Sequence, residues 1–124
     1  MKKAVIVIGR HGIGKSATIR EYLKPKLGIS KNHKKFELNH KKGFILSQSF
    51  EEGKREPEIM INKYCYYTYL VLAGRPIGED GSFTEIVKEL LIKEKYSVEI
   101  IEIISSDKTH YEEKATNIFE YLNK

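Results

Sequence analysis

The residues with the clearest chemical pattern lie near the start of the chain, at positions 9–16. They read Gly-Arg-His-Gly-Ile-Gly-Lys-Ser and match the spacing G-x-x-x-x-G-K-[ST] at every fixed position. Glycines let the backbone wrap closely around phosphate oxygens, with successive N–H groups pointing inward. A lysine and a hydroxyl after the last glycine offer a cation for the β- and γ-phosphates and a ligand for Mg²⁺. The pattern therefore predicts a site for the phosphates of a nucleotide.

Each residue of this loop and the one that follows it is expected to take part in binding. Lys15 would stabilise the charge of a transferring phosphoryl group, and the Ser16 hydroxyl would bind the metal. The expected nucleotide-binding residues are Gly9, Arg10, His11, Gly12, Ile13, Gly14, Lys15, Ser16 and Ala17.

A phosphate loop of this kind needs a strand before it and a helix after it, and the sequence predicts both. Residues 4–8 form an apolar run rich in β-branched side chains, which is typical of a strand buried on both faces. Residues 16–23 are predicted to form a short helix that Pro25 and Gly28 end.

With this context the sequence resembles the P-loop NTPase superfamily. The motif covers residues 4–24 directly, and the rest of the chain is similar in its order of strands and helices. A β-hairpin predicted from strands at 35–39 and 44–49 is similar in layout to small GTPases, in which an antiparallel strand precedes the strand with the second metal motif. The resemblance implies binding of a nucleoside triphosphate and Mg²⁺, and it does not imply which reaction follows.

The acidic metal ligand that the resemblance implies is harder to place. No predicted strand is followed at once by Asp, so we expect Glu51 to act as metal ligand and catalytic carboxylate, with Glu52 as its alternative. Gln48 would then orient a water molecule. Asp107 is a further candidate, although a cap for the last helix is the simpler role for it.

The sequence contains little that indicates which base the nucleotide carries. Residues 62–65, Asn-Lys-Tyr-Cys, begin like the Asn-Lys-x-Asp guanine motif but have Cys in place of Asp and fall in a predicted helix. ATP is therefore the expected nucleotide by elimination.

The remaining elements complete an alternation of strands and helices. The capping boxes Ser82–Glu85 and Thr109–Glu112 predict the starts of two helices, and residues 51–56 are predicted to form a loop. The other predictions are a helix over 57–66 and strands over 68–73 and 98–104. This order favours an α/β fold, a three-layer α/β/α sandwich whose mainly parallel sheet has one antiparallel edge strand.

Composition sets the frame for these expectations. The 124 residues suit a single domain over 1–124, and the formal net charge of +5 favours anionic partners. The single cysteine, Cys65, excludes an intramolecular disulfide and a cysteine-based zinc cluster. No apolar run approaches the roughly 20 residues that span a bilayer, and the N-terminal run is too short for a signal peptide. We therefore expect a cytoplasmic protein without a membrane partner.

Three functions fit the sequence, with a minimal ATPase first. It would hydrolyse ATP slowly or when a protein partner is bound, since the chain is too short for an elaborate catalytic apparatus. A small-molecule or nucleotide kinase is the second; Arg55 and Arg75 follow strands where either could contact phosphate. The third is a nucleotide-regulated module that binds nucleic acid or an acidic protein. The sequence does not indicate an oligomeric state.

The third function depends on a basic stretch at residues 24–42, which contains seven lysines and two histidines. Its lysines could follow a phosphate backbone, while neighbouring rings stack on bases. The favoured interpretation is that the lysines protect an edge hairpin from aggregation. The rings in question are Phe36, Tyr64, Tyr66, Tyr67 and Tyr69.

Overall fold

Strands and helices alternate along the chain, and the computed structural model describes every residue from 1 to 124. The strands are β1 (Lys2–Ile8), β2 (Lys35–Leu38), β3 (Lys41–Leu46), β4 (Tyr69–Gly74) and β5 (Tyr96–Glu102). The helices are α1 (15–26), α2 (Phe50–Gly53), α3 (Pro57–Tyr64), α4 (Thr84–Lys93) and α5 (Lys108–Asn123). This order confirms the predicted α/β class.

The five strands form one sheet in the order β2-β3-β4-β1-β5. Strand β1 pairs in parallel with β4 and β5, and β3 pairs in parallel with β4. Strand β2 alone is antiparallel, to β3. The mainly parallel sheet with one antiparallel edge strand is therefore confirmed, and the loop after β1 starts from the interior of the sheet.

Apolar side chains of β1 alternate between two hydrophobic clusters. Val5 and Val7 pack with side chains of α1 and α5, whereas Ile6 and Ile8 pack with side chains of α2, α3 and α4. Because successive residues of a strand point to opposite faces, the two clusters lie on opposite faces of the sheet. Both faces are thus covered, which explains why β1 is apolar at nearly every position.

The β2–β3 hairpin is closed by a two-residue turn, Asn39-His40. Both residues have positive φ, 54° and 62°, as the type I′ turn of a tight hairpin requires. Strand β3 consequently begins at Lys41, three residues before the predicted start.

Helix α1 continues past the residue at which the sequence predicted its end. It runs as Lys15–Ala17, a π-helical stretch Thr18–Leu23, and a final turn Lys24–Lys26. Pro25 lies in the first turn of that last segment, directly after the π-helical stretch. The prediction that Pro25 ends the helix is therefore wrong, whereas the predicted end at Gly28 is confirmed, with φ 75° at that residue.

The starts of three helices also differ from the prediction. Residues 50–53 are helical because the Ser49 hydroxyl accepts a hydrogen bond from the Glu52 N–H, at 3.3 Å. The N-cap of α4 is Phe83 and not Ser82. The N-cap of α5 is Asp107, whose carboxylate accepts from the Thr109 N–H at 3.4 Å, so the capping role considered for Asp107 is confirmed. None of the helices has the length and apolar character needed to cross a bilayer.

Tyr96, at the start of β5, leads to a prediction about alkaline stability. Its ring is buried and its hydroxyl donates to the Tyr67 carbonyl at 2.5 Å. Burial, aided by the nearby Cys65 and Glu94, raises the pKa of the Tyr96 hydroxyl above its ordinary value of 10.0. The unfolded chain therefore ionises this group at a lower pH than the folded chain, and the free energy of unfolding should fall as pH rises above about 10.

The Tyr96→Phe variant should lack this pH-dependent contribution to the free energy of unfolding. At pH 7 we expect it to be about 1 kcal/mol less stable than the wild type, because the Tyr67 carbonyl loses its donor. The difference should shrink as pH rises past about 10. Urea denaturation across this range measures it, with the exposed Tyr66→Phe as control. A difference that stays constant with pH would contradict the assignment.

Candidate functional site

Residues 9–16 connect the end of β1 to the first turn of α1. Since β1 has β4 and β5 as parallel neighbours, the loop lies at the edge of the sheet where the carboxyl ends of these strands meet. The Ile103 N–H, just after β5, donates to the Ile8 carbonyl at 2.8 Å and ties the two strand ends together. Ligands bind at this edge in open α/β sheets.

The loop has a shape that requires glycine at two of its fixed positions. A Cβ on Gly9 would lie 2.7 Å from Ile13 Cγ2 and 2.9 Å from the Ile103 carbonyl oxygen. Gly14 has φ 125°, and a Cβ there would overlap the Tyr111 ring. Both positions are therefore closed to larger residues, by packing at Gly9 and by packing and backbone conformation at Gly14.

Tyr111 and Ser106 hold the loop from the C-terminal part of the chain. The Tyr111 hydroxyl donates to the Ile13 carbonyl at 2.7 Å, and the Ser106 hydroxyl donates to the same oxygen at 3.1 Å. Ile13 itself is buried beneath the loop. The sequence analysis did not identify Tyr111 as a site residue, since nothing local signals a contact with a residue 98 positions away.

Lys15 is the first residue of α1 and is nearly buried, with 6% of its surface exposed. Its Nζ donates to the Gly74 carbonyl, 3.1 Å away at the end of β4. Burial lowers the pKa of the Lys15 amine, while the Glu52 and Glu51 carboxylates oppose this and Arg75 adds to it. An amine with so little water around it gains strongly from an anionic partner.

A cleft of about 320 Å³ opens beside Lys15. Its walls come from the loop, the first turn of α1, the segment after β3, α2 and the end of β4. The lining residues are His11, Gly12, Gly14, Lys15, Ser16, Ser47, Ser49, Glu52 and Ala73. The fold thus brings five of the predicted loop residues together with a carboxylate and two further hydroxyls.

Not every predicted residue lines the cleft. Gly9 and Ile13 lie beneath the loop, Arg10 is exposed on it, and Ala17 is half-buried in the first turn of α1. Gln48 is exposed and does not reach the cleft. Gly9 and Ile13 therefore shape the loop by packing beneath it.

Glu51 and Glu52 point to different places. The Glu51 carboxylate accepts a hydrogen bond from the Phe83 N–H at 2.5 Å, at the start of α4. The Glu52 carboxylate lies in the cleft, 3.5 Å from His11 Nδ1. The structure therefore brings Glu52 to the loop, and the metal-binding role of Glu51 stays a prediction.

Arg75 follows β4 next to this region. Its Nη1 lies 3.8 Å from a Glu79 carboxylate oxygen, and its buried Nε has no hydrogen-bond partner. Its positive charge is close enough to lower the pKa of Lys15. The charges that act on Lys15 therefore include Arg75 together with the carboxylates of Glu51, Glu52 and Glu79.

The donor set of the cleft suits one type of metal site. Ser16, Ser47 and Glu52 offer oxygen atoms, the ligands that Mg²⁺ prefers. No group of three or more His, Cys, Asp or Glu side chains could hold a metal ion by itself. The arrangement therefore fits an Mg²⁺ ion that one or two protein oxygens bind together with phosphate and water.

Comparisons of the chain with protein-family models, with curated proteins and with solved structures found no match. The geometry of the cleft and its residue types therefore carry the functional argument.

Proposed function

We propose that this chain binds a nucleoside triphosphate with Mg²⁺ at residues 9–16 and hydrolyses it slowly or when a partner is bound. In this proposal the fold is a three-layer α/β/α sandwich of the P-loop type in the cytoplasm. One observation carries it: the buried Lys15 amine stands at the base of a glycine loop that opens onto an oxygen-rich cleft.

Each part of the loop has a distinct task in this proposal. The backbone N–H groups of Gly12 and of residues 14–16 face phosphate oxygens at the positive end of α1, while the Ile13 N–H donates to the Arg10 carbonyl within the loop. The Lys15 amine binds between the β- and γ-phosphates, where negative charge develops during phosphoryl transfer. Ser16 and Glu52 hold Mg²⁺, which neutralises phosphate charge when bound.

ATP is the nucleotide of choice by elimination, because the guanine motif is incomplete at Cys65. Isothermal titration with ATP, ADP, GTP and GDP, each with and without Mg²⁺, tests the proposal. We expect saturable binding of MgATP that weakens when Mg²⁺ is removed. Absence of saturable binding for all four nucleotides would contradict the proposal.

Phosphate release then separates the reactions open to a bound triphosphate. Hydrolysis gives phosphate from ATP alone, whereas a kinase forms ADP only when an acceptor is added. A panel of metabolites and nucleoside monophosphates distinguishes the two. We expect slow phosphate release that does not depend on these acceptors.

The two neighbouring glutamates give a discriminating prediction. Glu52→Gln should weaken MgATP binding about tenfold and leave Mg²⁺-free binding nearly unchanged, because a carboxylate that faces the metal loses its charge. Glu51→Gln should change MgATP affinity less than about twofold, yet lower the free energy of unfolding by about 1 kcal/mol, because its contact is with α4. Titration calorimetry and urea denaturation of both variants measure this. The reverse pattern would assign the metal to Glu51.

A further inference from the structure

A second surface with a distinct chemistry crosses the β2–β3 hairpin. It consists of two shallow depressions, of about 340 and 530 Å³, that share Lys35. The first is bordered by Lys42 and Tyr67, and the second by Lys34 and Phe44. We call these residues, together with Lys63 and Tyr66 beside them, the lysine–tyrosine surface.

The lysines of this surface have no acidic partners. None of Lys34, Lys35, Lys42 and Lys63 lies within ion-pair distance of a carboxylate, since the four ion pairs of the chain involve other cations. Glu37 is the only acidic residue that borders either depression. Unpaired like charges on one surface create a positive field that attracts a polyanion.

Aromatic rings of this surface support one another, and Lys63 Nζ lies 5.5 Å from the centroid of the Tyr64 ring. Phe44 stacks on Tyr64, with ring centroids 4.4 Å apart, and contacts Tyr67 at 5.2 Å. Tyr66 lies 5.9 Å from Tyr67 and is 76% exposed. The inner rings are held by packing, so the outer ring is a supported platform that nothing in the chain covers.

The surface and the phosphate loop lie apart. Lys42 and Tyr67 are at or just before the amino ends of β3 and β4, whereas residues 9–16 follow the carboxyl end of β1. These strands are parallel, so Lys42 and Tyr67 lie at the opposite end of the strands from residues 9–16. Lys34 lies beside Ile45, toward the carboxyl end of β3, and strand β4 separates β3 from β1.

We propose that the lysine–tyrosine surface binds single-stranded nucleic acid. Its lysines contact successive phosphates, and Tyr66, backed by Tyr67, stacks on an unpaired base. Cations along a backbone combined with stacking rings are the two features that single-strand binding requires. An acidic polypeptide would use the lysines but would leave the ring platform without a purpose. This inference goes beyond the proposed nucleotide site and does not depend on it.

Fluorescence anisotropy with labelled single-stranded RNA and DNA of about 15 nucleotides tests the proposal. Four phosphate contacts predict that affinity falls about 50-fold between about 50 mM and about 200 mM salt. Duplexes of the same length should bind more weakly, because their bases are not free to stack. Absent or salt-independent binding, or tighter binding of the duplex, would overturn the proposal.

Matched variants distinguish binding at this surface from non-specific attraction by the net charge. The triple variant Lys34→Gln, Lys35→Gln, Lys42→Gln should lose at least about tenfold in affinity at low salt. The control Lys93→Gln, Lys108→Gln, Lys114→Gln has the same net charge and should stay within about twofold. Equal losses in both triple variants would mean non-specific attraction and overturn the proposal. Thermal unfolding and MgATP titration of both verify the fold and the phosphate loop.

The aromatic contact has its own test. Tyr66→Ala should weaken single-strand binding by about fivefold or more, whereas Tyr66→Phe should retain it, since stacking needs the ring and not the hydroxyl. Polyglutamate of similar charge should compete poorly. An unaffected Tyr66→Ala variant, or competition by polyglutamate as effective as that by the oligonucleotide, would indicate an acidic protein partner and overturn the proposal.

Discussion

Replacing Lys15 by Ala is expected to weaken MgATP binding at least about 100-fold, below detection in a calorimetric titration. Lys15 has 6% of its surface exposed and lines the cleft, so little water competes with a phosphate for the charge of its amine. The loss should be similar for GTP if that nucleotide binds, because the amine contacts phosphates and not the base.

Lys15→Met separates binding from folding. Burial lowers the pKa of Lys15, which means that its charge is costly in the folded chain, and an apolar side chain of similar length removes that cost. We therefore expect Lys15→Met to lose MgATP binding without a fall in the free energy of unfolding. Lys24 is the matched control, because it is buried in the same helix with a lowered pKa but donates to the Lys31 carbonyl, outside the cleft. Lys24→Met should still bind MgATP; binding by Lys15→Met would contradict the assigned role.

Gly14→Ala is expected to be the most damaging single change to the loop, with a loss of about 3 kcal/mol in the free energy of unfolding and no MgATP binding. Its φ of 125° is a backbone conformation that residues other than glycine rarely adopt. The added Cβ would also overlap the Tyr111 hydroxyl, which is itself held by the Ile13 carbonyl. Urea denaturation and calorimetric titration measure the two losses.

Gly78→Ala provides the control for Gly14→Ala. Gly78 also has positive φ, 87°, but a Cβ there meets nothing within 4 Å. It should cost about 1 kcal/mol from backbone strain alone. Adding Tyr111→Ala to Gly14→Ala should relieve the overlap but not the strain. If Gly14→Ala were no worse than Gly78→Ala, the Tyr111 contact would not restrict the loop.

The sequence contained enough information to predict the strand and the loop at residues 2–16. The apolar run of β1 and the fixed spacing of residues 9–16 are local patterns, and both lie where they were expected. Helix α1 was harder to predict, because it continues through the π-helical stretch Thr18–Leu23 and past Pro25. No local sequence pattern predicts such a stretch. Helix α2 is too short for a periodic pattern and depends on the Ser49 cap.

Only the part of the site formed by residues adjacent in sequence could be predicted. Neighbouring residues on a helix point about 100° apart, so the choice between Glu51 and Glu52 depends on how α2 is oriented. That orientation depends on the Phe83 N–H, a contact 32 residues away in sequence. Ser47 joins the cleft because β3 lies two strands from β1, and strand order cannot be derived from the order of elements alone.

The hydrogen bond from Lys15 to the Gly74 carbonyl has a consequence for how any ligand is recognised. The ammonium has three N–H donors, and the Gly74 carbonyl takes one of them at 3.1 Å, so two remain for a ligand. The contact therefore holds the amine in place before a ligand arrives, and a ligand does not have to displace it. The Gly74 carbonyl belongs to the residue before Arg75, whose own carbonyl accepts from the Ser82 and Thr84 hydroxyls at the start of α4. The contact thus connects the first turn of α1, through the end of β4, to the start of α4.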